Sequence, residues 1–82
     1  MKFYYTYVLQ SEIVDKRYIG LTDNLESRLK SHNAGKVKST KIYKPWKIIY
    51  YEAYLEKRSA LRAERFYKTG QGRRQLNKKL EE

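Results

Sequence analysis

Tyrosine has to supply much of any core that this chain can form. Leu, Ile, Val and Phe together account for 18 of the 82 residues, close to the fraction of about 20% below which highly charged chains stay disordered. Nine Tyr and one Trp provide the remaining large apolar side chains. A chain of this length is too short for two domains. We therefore expect one small domain over residues 1–82 with a compact core.

The charge of the chain indicates the kind of partner it binds. Lys and Arg number 19 against nine Asp and Glu, which gives a net charge of +10. Such an excess suits a polyanion, most often nucleic acid, and an acidic membrane surface less often. The absence of Cys excludes disulfides, thiolate zinc sites and cysteine nucleophiles, and predicts a reducing, cytoplasmic location. No apolar stretch approaches the roughly 18 residues of a membrane span.

Alternating side chains predict a β-hairpin at the beginning of the sequence. Phe3–Gln10 alternates in the manner of a strand, and Arg17–Thr22 follows a polar turn as a second strand. A symmetric hairpin would place Tyr7 opposite Tyr18 on one face of the sheet. It would also leave open space beside the two rings at Gly20.

Three helices and a third strand are predicted for the rest of the chain. Asp23 followed by Glu26 has the pattern of a capping box, and Gly35 is typical of a helix end. The later predicted elements are a loop at 36–44, a strand at Trp46–Tyr54, and helices at Glu56–Thr69 and Arg73–Leu80. The order β-β-α-β-α-α predicts a small α/β (α+β) domain around a three-stranded sheet.

One acidic residue is predicted to lie among apolar side chains. Ala60, Ala63 and Tyr67 form the apolar stripe of the second predicted helix, and Glu64 falls inside it. A carboxylate that faces a core is costly unless it is paired or binds a metal. A salt bridge to one of the 19 basic residues and a metal site explain Glu64 equally well.

Each of the other candidates also has a structural interpretation. Most of the nine tyrosines, including Tyr7 and Tyr18, are expected to pack in the core. Arg28 and His32 are four residues apart on one helix, where a solvated arginine and a surface histidine are common. One His without any Cys cannot form a zinc site.

In combination, these residues resemble the GIY-YIG nuclease superfamily. The pattern is Tyr7, then Tyr18-Ile19-Gly20 eleven residues later, then Arg28 in the next helix and Glu64 in a later one. In the first motif, Tyr5-Thr6-Tyr7, only the final tyrosine carries over. The similarity covers nearly the whole chain. It is strongest to the short, single-domain branch related to the N-terminal nuclease domain of the excision-repair endonuclease.

The resemblance implies a three-stranded antiparallel sheet flanked by helices, and one divalent metal ion, Mg²⁺ or Mn²⁺, held mainly by Glu64. It implies catalytic roles for Tyr7, Tyr18 and His32, and phosphate binding by Arg28. One carboxylate with waters and substrate oxygens is a normal magnesium site. A guanidinium can bind phosphate through two parallel hydrogen bonds. A tyrosine hydroxyl acts as a base only when a metal or a nearby cation lowers its pKa from about 10.

We therefore predict a metal-dependent DNA endonuclease that hydrolyses phosphodiester bonds with a tyrosine-assisted water. The alternatives are a non-catalytic nucleic-acid-binding module that retains the fold, and a domain whose basic face binds an acidic protein. Branched and damaged DNA are among the candidate substrates. Six basic residues are expected to contact the phosphate backbone without reading the base sequence: Lys36, Lys38, Lys41, Lys44, Arg73 and Arg74.

Overall fold

A three-stranded antiparallel sheet forms the centre of the structure. The computed structural model describes residues 1–81; Glu82, the last residue of the predicted domain, lies outside them. The strands are β1 (Tyr4–Ser11), β2 (Arg17–Thr22) and β3 (Trp46–Tyr54), and the helices are α1 (Leu25–Asn33), α2 (Lys57–Tyr67) and α3 (Gly70–Glu81). The strand order is β2-β1-β3. The predicted α+β architecture and its order of elements are confirmed.

Strand β1 contributes to a separate core on each face of the sheet. The first core consists of Tyr7, Leu9 and Trp46, with Leu25 and Leu29 of α1 packed against them. The second core, on the side of α2 and α3, is formed by Val8, Tyr67 and Leu76. The alternation predicted for β1 is thus confirmed, and α1 covers one face while α2 and α3 cover the other. In the described part of the chain, no helix is long and apolar enough to cross a membrane.

The register of the hairpin differs by two residues from the prediction. Tyr7 lies opposite Gly20, and Tyr18 lies opposite Leu9, which is two positions closer to the turn. The centre of the turn lies between Ile13 and Val14, one residue later than predicted, and the N–H of Ser11 donates to the carbonyl of Lys16 at 2.9 Å. A shift of two residues leaves every side chain on the same face of its strand. The alternation therefore determines the faces correctly but does not determine which residues are opposite each other.

The first helix begins at a different cap from the one predicted. The side chain of Asn24 accepts a hydrogen bond from the N–H of Ser27 at 3.0 Å, which makes Asn24 the N-cap. Asp23 instead pairs with Lys2 at 3.0 Å on the surface. Both residues are good caps, so the sequence alone favours neither of the two adjacent positions.

The boundary between α2 and α3 also differs from the prediction. Gly70, expected to follow a helix end, is the first residue of α3. The hydroxyl of Thr69 accepts the N–H of Gly72 at 3.0 Å and so caps the new helix. A Cβ at Gly72 would lie 1.9 Å from the carbonyl oxygen of Phe66, so this close turn requires glycine. α2 and α3 consequently pack tightly where they meet.

A carboxylate on β3 connects the sheet to both C-terminal helices. Glu52 accepts hydrogen bonds from the hydroxyls of Tyr50 and Tyr54 at 2.6 Å and also from Tyr67 of α2. The ammonium of Lys79 on α3 lies 3.2 Å away. Burial alone would raise the pKa of Glu52, but these donors outweigh it and lower the pKa to about 2. The sequence analysis did not identify this network.

We expect Glu52→Gln to lower the free energy of unfolding by about 2–3 kcal/mol at neutral pH, because four donors lose an ionised acceptor. The folded-state pKa of about 2 lies below the ordinary value of 4.5. The stabilisation is therefore complete above about pH 4.5 and is lost as the pH falls towards about 2, by about 3 kcal/mol in total. Urea denaturation across this range measures both effects.

The control for this prediction is Glu56→Gln. Glu56 is 61% exposed and pairs with Arg58 on the surface, so its loss should cost less than about 1 kcal/mol. Equal destabilisation by the two substitutions would show that the network of Glu52 contributes no more to stability than a surface ion pair.

Candidate functional site

The ring of Tyr7 lies against the backbone of Gly20. A Cβ at position 20 would come within 2.5 Å of the Tyr7 hydroxyl oxygen and 2.9 Å of Cε2 of Tyr18. Real Cβ atoms do not make such contacts, so the two rings occupy the space that a side chain at Gly20 would need. The prediction of open space at Gly20 is wrong, because the ring of Tyr7 fills it.

The hydroxyl of Tyr7 joins β1 to two residues of α1. It lies 3.0 Å from Nε2 of His32 and accepts a hydrogen bond from Nε of Arg28 at 3.3 Å. Tyr18 packs against the same group, with ring centroids 4.9 Å from His32 and 6.3 Å from Tyr7. The structure thus brings four predicted site residues into one cluster, although they come from three different elements.

His32 is fully buried and is not a surface histidine. Burial, and then the charge of Arg28, lowers its pKa from 6.5 to about 4, so the imidazole is neutral at pH 7. Its Nδ1 lies 2.8 Å from the hydroxyl of Thr40, which donates to the carbonyl of Val37 at 3.3 Å. This network assigns the proton to Nδ1, and Nε2 accepts the hydrogen bond of Tyr7.

Thr40 holds His32 in place, and the sequence analysis did not identify it. Thr40 is 1% exposed, and its carbonyl accepts the indole N–H of Trp46 at 2.9 Å. The side chain of Asn33 bonds both backbone groups of Trp46, at 2.6 and 3.0 Å. The signal in the sequence was weak: an uncharged Ser39-Thr40 pair within a lysine-rich loop.

Tyr7 is a neutral phenol at pH 7. Burial raises its pKa, and the hydrogen bond and charge of Arg28 offset this only in part. The charges of Tyr18 and Glu64 raise the pKa of Tyr7 further. Arg28, the cation expected to lower the pKa of Tyr7, is present beside the hydroxyl, but burial has the larger effect on this pKa.

Glu64 lies at the rim of its apolar stripe. Ala60 and Tyr67 are buried as predicted, whereas 17% of the Glu64 side chain is exposed and its Oε2 lies 3.0 Å from Nζ of Lys68. The expected salt bridge is therefore seen, with a lysine whose side chain is 52% exposed. A pair with so exposed a partner is worth only about 0.2–1 kcal/mol, so Lys68 holds the carboxylate weakly.

The donor atoms at Glu64 fit a magnesium ion that is shared with a substrate. Within residues 1–81 no three His, Cys, Asp or Glu side chains converge to hold a metal. Magnesium retains several waters and is commonly bound by one or two carboxylates plus phosphate oxygens. The partly exposed carboxylate of Glu64 can supply the protein's share of such a site, whereas a metal held by the protein alone would need further ligands.

The predicted nucleic-acid-binding residues come from two parts of the structure. The four lysines are exposed in the segment between α1 and β3: Lys36, Lys38, Lys41 and Lys44. Arg73 of α3 lines a groove of about 490 Å³ that also includes Tyr18. Arg74 is exposed on the same helix but does not line that groove.

Comparison with known proteins finds a matching family model and similar relatives. The family model of the GIY-YIG catalytic domain matches residues 3–78. A UPF0213 protein from Lactiplantibacillus plantarum is 46% identical over 72 residues, which cover 83% of this chain and 69% of the relative. A UPF0213 protein from Streptococcus pyogenes is 44% identical over 73 residues, covering 87% and 77% of the two chains.

A solved structure shares the fold. The solution NMR structure of a UPF0213 protein from Bacillus halodurans has a TM-score of 0.56 and 28% sequence identity, and the match covers 93% of this chain and 83% of that one. The resemblance predicted from the spaced Tyr, YIG, Arg and Glu motifs is confirmed.

We expect Gly20→Ala to lower the free energy of unfolding by about 1–3 kcal/mol, because the added methyl group overpacks the site. Displacing the Tyr7 ring should also break its hydrogen bond to His32. Gly70→Ala is the control, since the nearest atom to its new Cβ is 3.8 Å away. Chemical denaturation compares the two. Equal stability of both variants would contradict the packing of Tyr7 on Gly20.

His32 provides a second test of the site. Its pKa of about 4 is below the ordinary 6.5, so the unfolded chain binds more protons between these values. Stability should therefore be lost as the pH falls from about 6.5 to about 4, by about 2–3 kcal/mol. Titration of the imidazole by NMR measures the pKa directly. A value near 6.5 would show that the ring is solvated.

Proposed function

Since this chain belongs to the GIY-YIG family of catalytic domains, we propose that it is a metal-dependent DNA endonuclease that hydrolyses phosphodiester bonds. One observation carries the proposal: the Tyr7 hydroxyl is bonded to Arg28 and His32 beside Tyr18. Phosphodiester hydrolysis needs a bound phosphate, an oriented water and stabilisation of the developing charge. These residues provide groups for each requirement.

Arg28 is the phosphate-binding group in this proposal. Its Nε is bonded to Tyr7, which leaves the two terminal nitrogens of the guanidinium to bind phosphate oxygens in parallel. The hydrogen bond to Tyr7 raises the pKa of Arg28, so it stays charged at any working pH. Lysine could not make the same two-point contact.

Tyr7 and Tyr18 orient the attacking water. The neutral imidazole of His32 accepts a hydrogen bond from the Tyr7 hydroxyl. The phenol oxygen is therefore left to act as a hydrogen-bond acceptor. His32 is therefore a positioning residue that acts through Tyr7. The half-buried Tyr18 supplies the second hydroxyl, between the buried cluster and the groove.

Glu64 would hold one Mg²⁺ or Mn²⁺ ion. When bound, such an ion neutralises charge on the phosphate and lowers the pKa of groups around it. Without the ion, the ammonium of Lys68 balances the charge of the carboxylate from a distance of 3.0 Å. The proposal thus assigns a charge partner to Glu64 both with and without the ion.

We expect Glu64→Gln to reduce the cleavage rate about a hundredfold or more in magnesium, with supercoiled, nicked and branched DNA as substrates. The free energy of unfolding should change by less than about 1 kcal/mol, since Lys68 is exposed. Gel assays with purified protein measure cleavage, and urea denaturation measures stability.

Glu26→Gln is the matched control for this experiment. Glu26 also pairs with a lysine four residues later, Lys30 at 3.4 Å, but it lies on the surface of α1. It should cleave like the wild type. Equal cleavage by the Glu64 variant would point to a contaminant or to a structural salt bridge. A wild type that binds DNA but cuts none of the substrates would favour the non-catalytic module instead.

A further inference from the structure

A groove follows the outer edge of β2. It has a volume of about 490 Å³ and is lined by residues of β2, α3 and the end of α2: Arg17, Tyr18, Ile19, Lys68, Arg73 and Asn77. In the described residues β2 pairs only with β1, so no strand covers this edge. Because Tyr18 lines the groove and also packs against Tyr7 and His32, the groove adjoins the candidate site.

Arg17 is held in this groove by neutral partners. Its Nη1 donates to Oδ1 of Asn77 at 2.6 Å, and its Nε donates to Oε1 of Gln10 at 3.3 Å. Two amide oxygens therefore fix the position of the guanidinium without neutralising its charge. A fixed guanidinium with free N–H groups is well suited to bind an oxyanion, since little side-chain entropy remains to be lost.

The other two cations add to the positive charge of the groove. Across residues 1–81, neither Arg17 nor Arg73 lies within salt-bridge distance of a carboxylate. Lys68 does have an acidic partner, Glu64, but remains 52% exposed. The groove therefore carries net positive charge at the place where a strand bound at Tyr18 would continue.

We propose that this groove binds the backbone phosphates of the nucleic-acid strand next to the scissile phosphate, with Arg17 and Arg73 as the main ligands. The proposal rests on the proposed function for the position of the scissile phosphate. Contacts of this kind fix the position of the strand but read no base sequence. The groove thus places a strand against the site independently of its sequence.

The sharpest test is Asn77→Asp. This substitution keeps the hydrogen bond to Arg17 but places a negative charge beside it, so the arginine remains in place and loses its attraction for phosphate. Anisotropy of a labelled single-stranded oligonucleotide in EDTA gives the affinity at several salt concentrations. We expect about a five- to tenfold loss at 0.1 M salt and a salt slope smaller by about 0.7, the value of one phosphate contact. Thermal stability should be unchanged or higher.

Gln75→Glu is the control for Asn77→Asp. Gln75 is exposed on the same helix, about 200° around its axis from Asn77, so the net charge changes equally away from the groove. It should lose less than about twofold in affinity. Arg73→Gln should resemble Asn77→Asp, whereas Arg58→Gln, which removes a surface cation paired with Glu56, should resemble the wild type.

The outcomes separate this inference from the proposed function. Equal affinity of Asn77→Asp and Gln75→Glu, or a wild type that binds no oligonucleotide, overturns the groove as a phosphate site. Since binding is measured in EDTA, this holds whether or not the protein cleaves DNA in magnesium. If binding depends on the groove but the protein cleaves no DNA in the presence of any metal ion, the nuclease proposal is overturned and the groove remains supported as a phosphate site.

Discussion

The contact between the Tyr7 ring and Gly20 is the interaction on which the candidate site depends. A side chain at position 20 would occupy the space of the ring, so glycine allows the ring of Tyr7 to pack against the neighbouring strand. The hydroxyl then meets His32 and Arg28. Without that contact, the neutral histidine would lose its partner, and the arginine would lose the group that orients it. The absence of a Cβ at Gly20 thus allows the side chains of Tyr7, His32 and Arg28 to meet.

The fold solves the shortage of aliphatic residues by placing a hydrogen-bonded polar centre beside each core. On the α1 side it is the buried His32, and on the α2–α3 side it is Glu52 with its tyrosines. In residues 1–81 no buried side-chain nitrogen or oxygen lacks a hydrogen-bond partner. Tyrosine suits this arrangement because its ring packs while its hydroxyl supplies the bond.

The sequence predicted those features that depend on a repeating pattern. Strands and helix faces follow from periods of 2 and 3.6 residues, and the spaced motif identified the residues of the cluster. A register shift of two preserves the pattern, so the pairing of Tyr7 with Gly20 could not be predicted. The burial of His32 depends on Thr40, and the charge of Glu52 on tyrosines from two elements. Such contacts between distant residues leave no periodic signal.

The position of β1 between two covered faces has a consequence for the dynamics of the molecule. Amides of a central strand exchange with solvent only when the whole domain opens, whereas an edge strand frays with much smaller excursions. Tyr7 therefore belongs to the slowest-opening segment, and Arg17 begins the strand at the free edge. Tyr18 lies on that edge strand as well, so the candidate site joins a side chain from the slow-opening strand to one from the strand that frays. In the proposed function, this division keeps Tyr7 fixed while Tyr18 and the groove adjust to nucleic-acid strands of differing shape.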